Sequence, residues 1–290
     1  LQAVLIIAHR DFEQVYRLAK KLLPTFNVYI HFDKKMPLTN EQAKSLVASK
    51  IEWISEVDVN WGSWSIGEVA VRLFKLALLN EDNTYFHLIS GQDWPSANVQ
   101  DIYNFYEQTD KIYMTYELAK DVKIAGEKIV WWQQLYYNYD KIKRRTKFGK
   151  LYHRVILALQ LLLRVNKLKK LGIELEIYHG ANWVDIPRDA LEYSIEYFDS
   201  HPKFRKMLET GCFSDEFWLQ TILCNNDTYK ARIVADNKRF VKWEQQNNSW
   251  PAVLDERDFD VVVKSHTHFA RKFTQEFSMK LIEELDSYYK

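Results

Sequence analysis

The segment Ser214-Asp215-Glu216-Phe217-Trp218 sets two carboxyl groups side by side ahead of two aromatic rings. A serine at a helix start with acids in the first turn is what capping and the helix dipole favour, which accounts for Ser214 and Asp215. Glu216 stands between another acid and apolar rings, a setting in which a carboxyl pKa rises toward the working range of a general base. On residue type alone, capping and catalysis are both open for this turn. Near the carboxyl end, His266-Thr-His268-Phe-Ala-Arg271-Lys272-Phe273 places two cations among aromatics. Fixed cations of this kind can hold a diphosphate without a metal, and a basic surface turn would use the same residues. Asp258-Phe259-Asp260 has the spacing with which a divalent ion is held through oxygen ligands, but it opens a predicted helix from Asp258 to Val263, where acids favour the dipole; no metal ligand is expected.

His9 and Asp33 draw notice through position. Val4 to Ala8 predicts a strand, the spacing of Phe12, Val15, Leu18, Ala19 and Leu22 a helix, and Asn27 to Phe32 a second strand. Further strands are predicted at Ile51 to Ile54 and Tyr85 to Ile89, with a helix from Ile66 to Leu79 between them. Alternation of this kind implies a mostly parallel α/β sheet whose ligands gather at the carboxyl ends of the strands, where His9, Asp33 and Asp93 fall. Asp33, followed by Lys34-Lys35, can accept a hydrogen bond from a nucleotide base or ribose; a solvated turn before Pro37 is the other reading. His9 and His31 are too far apart to form a local metal motif. Toward the carboxyl end, Ile173 to Tyr178 and Asn182 to Ile186 read as strands, and Arg188 to Phe198, Ser214 to Leu223 and Met279 to Tyr288 as helices.

The 290 residues, 47% of them hydrophobic, can supply a full core, and no repeat or low-complexity linker divides them, so one domain over 1–290 is expected. Between Lys141 and Gly172 stand eleven Lys/Arg and no acid, around the apolar positions Val155 to Leu163. The net charge of +1 therefore hides a basic helical insert, 141–172, on an acidic body. Its Leu-rich, aromatic-poor core is unlike a base-stacking surface, so nucleic acid is not expected. Peripheral contact of Lys141 to Lys170 with anionic lipid is expected instead, against the alternative of a solvated hairpin packed on the body. Two cysteines, Cys212 and Cys224, point to a reducing compartment and leave one bridge open. Leu1 to Ala8 reads as a buried strand with no leader character, and no apolar run is long enough to span a bilayer. The signatures of dehydrogenases, P-loop enzymes, zincins and α/β-hydrolases are absent.

Several segments together resemble the core 2 / I-branching β-1,6-N-acetylglucosaminyltransferase and peptide O-xylosyltransferase family. They are Ile6-Ile-Ala-His-Arg10, Val28-Tyr-Ile-His-Phe-Asp-Lys-Lys35, Trp61-Gly-Ser-Trp-Ser65, Leu88-Ile-Ser-Gly-Gln-Asp-Trp-Pro95, Gly180-Ala-Asn-Trp183, Phe213-Ser-Asp-Glu216, Phe240-Val-Lys-Trp243 and Phe269-Ala-Arg-Lys-Phe273. Their order covers most of the chain. The resemblance implies a GT-A-type fold and inverting, metal-independent transfer from a UDP-sugar (GlcNAc or another hexose, or the pentose xylose) to a glycan or glycolipid hydroxyl in cell-surface polysaccharide synthesis. It implies Glu216 as general base, Lys272 with Arg271, His9 and Asp33 on the donor side, and Trp243, Glu117, Asp93 and Trp183 on the acceptor side. The arginine that shares the diphosphate with the lysine in animal members has no counterpart in Asn248-Ser-Trp-Pro-Ala252, and Arg271 is expected to replace it. Few cysteines and no visible anchor fit a bacterial, cytoplasmic protein, peripheral on the inner face of the membrane. The competing expectations are a carbohydrate-binding protein without turnover, which the 10 Trp and 17 Tyr would also suit, and a sugar-nucleotide hydrolase.

Overall fold

Val4, Ile6 and Ala8 point to one side of strand β1 (Gln2–Ala8), and Ala3, Leu5 and Ile7 to the other; all six are buried. A strand apolar on both faces must lie inside a sheet covered on both sides. The computed structural model, which describes residues 1–290, places it there. The other strands are β2 (Asn27–Phe32), β3 (Glu52–Ile54), β4 (Tyr85–Ser90), β5 (Asp93–Pro95), β6 (Ile112–Tyr113), β7 (Glu117–Leu118), β8 (Lys123–Ile124), β9 (Glu127–Lys128), β10 (Tyr178–His179), β11 (Asp185–Pro187), β12 (Ile233–Val234), β13 (Arg239–Val241) and β14 (Phe269–Arg271). The main sheet has the order β12-β6-β11-β4-β1-β2-β3, parallel except for β11, which runs antiparallel to β4 and β6.

The helices Phe12–Leu22, Asn40–Ala48 and Ser65–Leu78 make the crossovers among the first four strands. The chain moves outward from β1 through β2 to β3 and then returns to β4 on β1's other side, so the strand order reverses at β1. Such a switch point opens a crevice at the carboxyl ends of the strands. His9, Asp33 and the Gly91-Gln92 turn lie along that edge. A second sheet, β13-β14-β5, stands beside it and pairs Arg271 with Asp93.

A buried polar knot ties the two sheets together. Asp185 on β11 accepts from His87 Nδ1 (2.9 Å), the Tyr106 hydroxyl (2.6 Å) and both terminal nitrogens of Arg239 (2.9 and 2.6 Å). Burial pushes the Asp185 carboxyl up, but the charge of Arg239 and the hydrogen bonds from His87 and Arg239 outweigh it and hold the group below the usual carboxylate range.

Four element predictions need correction. Of the strand predicted at Ile173 to Tyr178 only Tyr178 enters a ladder, as the first residue of β10, because Ile173 N–H is taken by the carbonyl of Leu168 and Glu176 N–H by the Asn225 side chain. The strand predicted from Asn182 starts at Asp185. Ser214 to Leu223 is not one helix: a single 3₁₀ turn, Ser214–Glu216, precedes the helix Trp218–Cys224. Ser214 does not cap it, since its hydroxyl donates to the carbonyl of Leu208 (2.7 Å). Asp258 ends a 3₁₀ turn, Glu256–Asp258, and the helix begins at Phe259. Cys212 and Cys224 are both free and buried. No helix is long and apolar enough to cross a membrane.

Candidate active site

The 3₁₀ turn that carries Glu216 is set by the chain around it. Phe213 takes a left-handed backbone conformation (φ 51°) and donates its N–H to the carbonyl of Gly62 (2.9 Å), while its ring meets the Trp61 ring edge-on at 4.8 Å. Gly62 itself has φ +85°, a value that a side chain would strain. On the other side, Gly180 N–H donates to the carbonyl of Glu216 (2.9 Å). A Cβ at Gly180 would lie 1.9 Å from the carbonyl oxygen of Thr115, so only glycine admits this approach.

Glu216 is thereby held with its side chain about one-third exposed (35%) and one carboxylate oxygen 3.1 Å from Nε2 of His179. His179 packs against the rings of Phe217 and Trp132, and its Nδ1 is buried without a partner. The Nε2–H tautomer therefore fits: it donates to Glu216 and fixes which carboxylate lone pair faces outward. Glu117, exposed on β7, sits opposite His179 in the β7–β10 ladder and so on the same face.

The two neighbouring acids divide differently from the expectation. Asp215 is the buried one: burial first, then the adjacent charge of Glu216, push its carboxyl well above the carboxylate range, and one of its oxygens has no hydrogen-bond partner. Burial thus favours the protonated form of Asp215, whereas Glu216 meets solvent.

The carboxylate of Asp93 is engaged within the protein. It is 1% exposed, accepts from Ser90 N–H (2.7 Å) and the Ser90 hydroxyl (3.1 Å), and lies 3.4 Å from Nε of Arg271. This pairing also engages Arg271. Its guanidinium is turned inward, stacked on Trp183 at 4.3 Å and balanced by Asp93. One face of Trp183 is covered in the same contact.

Lys272, the next residue, is half-buried and has no carboxylate partner; its nearest polar contact is the Ser249 hydroxyl at 3.4 Å. Burial, then the charges of Arg271, Arg145 and Arg10, push its ammonium down to about 8. Arg145, exposed, lies over the Trp61 ring at 4.3 Å. Through Trp61 and Phe213 it abuts the turn of Glu216. Arg10, after His9, is exposed as well. Lys272, Arg145 and Arg10 thus form a cationic group without carboxylates, facing the carboxyl edge of the sheet.

Asp33 is buried, and one of its oxygens accepts the N–H groups of Lys35 (3.0 Å) and Val59 (3.3 Å); the other faces Lys35 Nζ at 3.7 Å. With His31, whose Nε2 accepts from Val57 N–H (3.2 Å), it pins the 56–59 loop beside the crevice. Trp243, 65% exposed on the loop after β13, offers a free aromatic face. Asp258 receives Lys242 Nζ (2.7 Å), Gln246 Nε2 (2.6 Å) and Asp255 N–H (3.0 Å), so both of its carboxylate oxygens are engaged in the fold. A wide cleft lined by Glu56, Asp58, Glu68, Asp140 and Glu209, with Arg205 and Lys206, contains none of the cationic group, and its excess of acids does not suit a diphosphate.

Sequence reasoning missed His179 and Arg145. His179 directly precedes the Gly180-Ala-Asn-Trp183 segment, which was the available signal. Nothing local separates Arg145 from the other cations of its run.

The family model for the Core-2/I-Branching enzyme matches residues 3–277. The chain is 24% identical to xylosyltransferase sqv-6 of Caenorhabditis briggsae, over 94% of this chain and 35% of that protein. It is 26% identical to β-glucuronosyltransferase GlcAT14A of Arabidopsis thaliana, over 39% of this chain and 25% of that one. It thus spans between a quarter and about a third of the length of these relatives. Among solved structures, an active-site mutant of LgtC aligns with a TM-score of 0.42 at 10% identity, over 99% of this chain and 94% of that one. Core-mannan synthase A of Aspergillus fumigatus aligns with a TM-score of 0.40 at 13% identity, over 80% and 72%.

Proposed function

Because the chain belongs to the Core-2/I-Branching enzyme family, we propose that it is an inverting glycosyltransferase of GT-A architecture, moving a sugar from a UDP-sugar to a hydroxyl of a glycan or glycolipid. The observation that carries this reading is the solvent-facing carboxylate of Glu216, oriented by His179 and joined through Phe213 and Trp61 to unpaired cations. Glu216 takes the proton of the acceptor hydroxyl, the hydroxyl oxygen attacks the anomeric carbon from the face opposite the nucleotide, and the bond to the diphosphate breaks with its electron pair on the leaving oxygen. Lys272, Arg145 and Arg10 take up the charge that leaves. Trp243 presents a ring on which an acceptor sugar can stack, with Glu117 beside it in role. The test is a panel of UDP-sugars with glycan acceptors, read as UDP release and by the anomeric configuration of the product. UDP released equally without acceptor, or no release with any donor, overturns it.

The same arrangement supports metal independence, because side-chain cations can supply the charge that an ion would. Transfer is expected to run at full rate in excess EDTA; activity lost to the chelator and restored by manganese would contradict this.

Arg145→Ala is expected to weaken donor binding about tenfold, the lower end for a charged hydrogen bond in a site open to solvent screening. It carries a second signature. Donor affinity should fall as pH rises through about 8, where Lys272 loses its proton, and removal of Arg145 should move that fall to higher pH by relieving repulsion. Calorimetric titration of UDP against pH reads both. An unmoved alkaline limb places Arg145 outside the donor site.

A further inference from the structure

The helix Lys147–Leu162 is apolar on two sides: Tyr152, Ile156 and Leu157, partly buried, pack on the body, and a second apolar stripe faces away from it. Gly149, His153 and Gln160 face the body, where Gln160 exchanges two 2.8 Å hydrogen bonds with the backbone of Tyr136 and His153 bridges Tyr139 and Glu127. These contacts fix the rotation of the helix about its axis. Phe148, Leu151, Val155, Leu159 and Leu162 recur every three or four residues, so they share one face, and that face is in solvent, from 46% exposed at Leu159 to 79% at Leu162. Lys147, Lys150 and Arg154 follow the same spacing along its border and are exposed too. None of the exposed cations between 141 and 172 has a carboxylate within ion-pair distance, although the body carries an excess of acids.

We propose that this face seats the protein on an anionic lipid bilayer, the helix lying in the interface plane. A stripe of large apolar side chains bordered by cations suits the boundary between acyl chains and anionic headgroups. The helix is neither long nor apolar enough to span the bilayer. A second copy of the chain suits the face less well, since a two-fold contact would set the cationic border against itself. The amino-terminal end of the helix adjoins Arg145, over Trp61 beside the turn of Glu216, so docking brings the candidate site to the membrane surface. That the acceptor is lipid-linked rests on the transferase reading; the docking itself does not.

The experiment is flotation of the full chain with phosphatidylcholine vesicles, with and without phosphatidylglycerol. Binding is expected only to the anionic vesicles and is expected to weaken with salt. K147Q/K150Q/R154Q should lower partitioning about a hundredfold. L151S/V155S/L159S should abolish it while circular dichroism stays unchanged; should that variant fail to fold, the charge variant, which touches only exposed residues, decides. No flotation with anionic vesicles at low salt, or equal flotation with neutral ones, overturns the proposal. So does a wild-type dimer that the serine variant dissolves. Flotation needs neither donor nor acceptor, so its failure leaves the transferase reading standing, and absence of transfer leaves the docking standing.

Discussion

Glu216→Gln is expected to leave UDP-sugar affinity near that of the wild type and to lower turnover by about 10²- to 10⁴-fold, the range for loss of a general base. Glutamine keeps the length of the side chain and can still accept from His179 Nε2, so the turn from Phe213 to Phe217 stays in place. What is lost is the oxygen basic enough to accept the acceptor's proton. Asp215→Asn is the matched control one residue away. Burial and the charge of Glu216 push the Asp215 carboxyl up, toward its neutral form, so a neutral amide there disturbs the site less and should cost far less rate. The two variants are compared by single-turnover transfer and by UDP-sugar binding. A Glu216→Gln protein that folds normally and retains more than about a tenth of wild-type turnover would remove Glu216 from the role of base. Glu117, exposed and opposite His179 in the β7–β10 ladder, would be the next acid to examine, whereas Asp93 is buried.

Asp185→Ala is expected to destabilise the fold by about 3–5 kcal/mol, the cost of removing one partner from a buried ion pair. Arg239 would remain in the interior with its charge unbalanced, and the hydrogen bonds of His87 and Tyr106 to that carboxylate would go as well. The loss should appear as a lower urea midpoint with little change in slope. Because the folded carboxyl lies below its unfolded value, the stabilisation it confers is present above about pH 3.9 and is lost as pH falls toward the folded value, so the difference between wild type and variant should narrow in acid. A midpoint within about 1 kcal/mol of wild type at neutral pH would show that the knot is replaceable. Donor binding offers a second reading, since Arg239 opens β13, which pairs with the β14 strand that leads to Lys272.

Much of this architecture is legible in the chain itself. The unbroken apolar run of β1, the helix-period residues from Phe12 to Leu22 and the return to β2 are local patterns, and local patterns report which faces are buried. They also place His9, Asp33 and the turn after β4 at the carboxyl ends of strands, because that follows from alternation alone. The family resemblance, carried by ordered segments from Ile6 to Phe273, singles out Glu216 and Lys272. The basic run from Lys141 to Lys170 is equally plain as composition. Tertiary structure decides which charges are used up. Arg271 and Asp93 read as two site residues until the β5–β14 register sets them against each other, and the upward pKa shift expected at Glu216 falls instead on the buried Asp215, while Glu216 meets His179. The outward turn of Leu151, Val155 and Leu159 likewise depends on His153 and Gln160 finding partners on the body. Periodicity specifies that a face exists, but desolvation and partner choice arise between residues remote in the chain, and those terms separate a reactive carboxylate from a structural one.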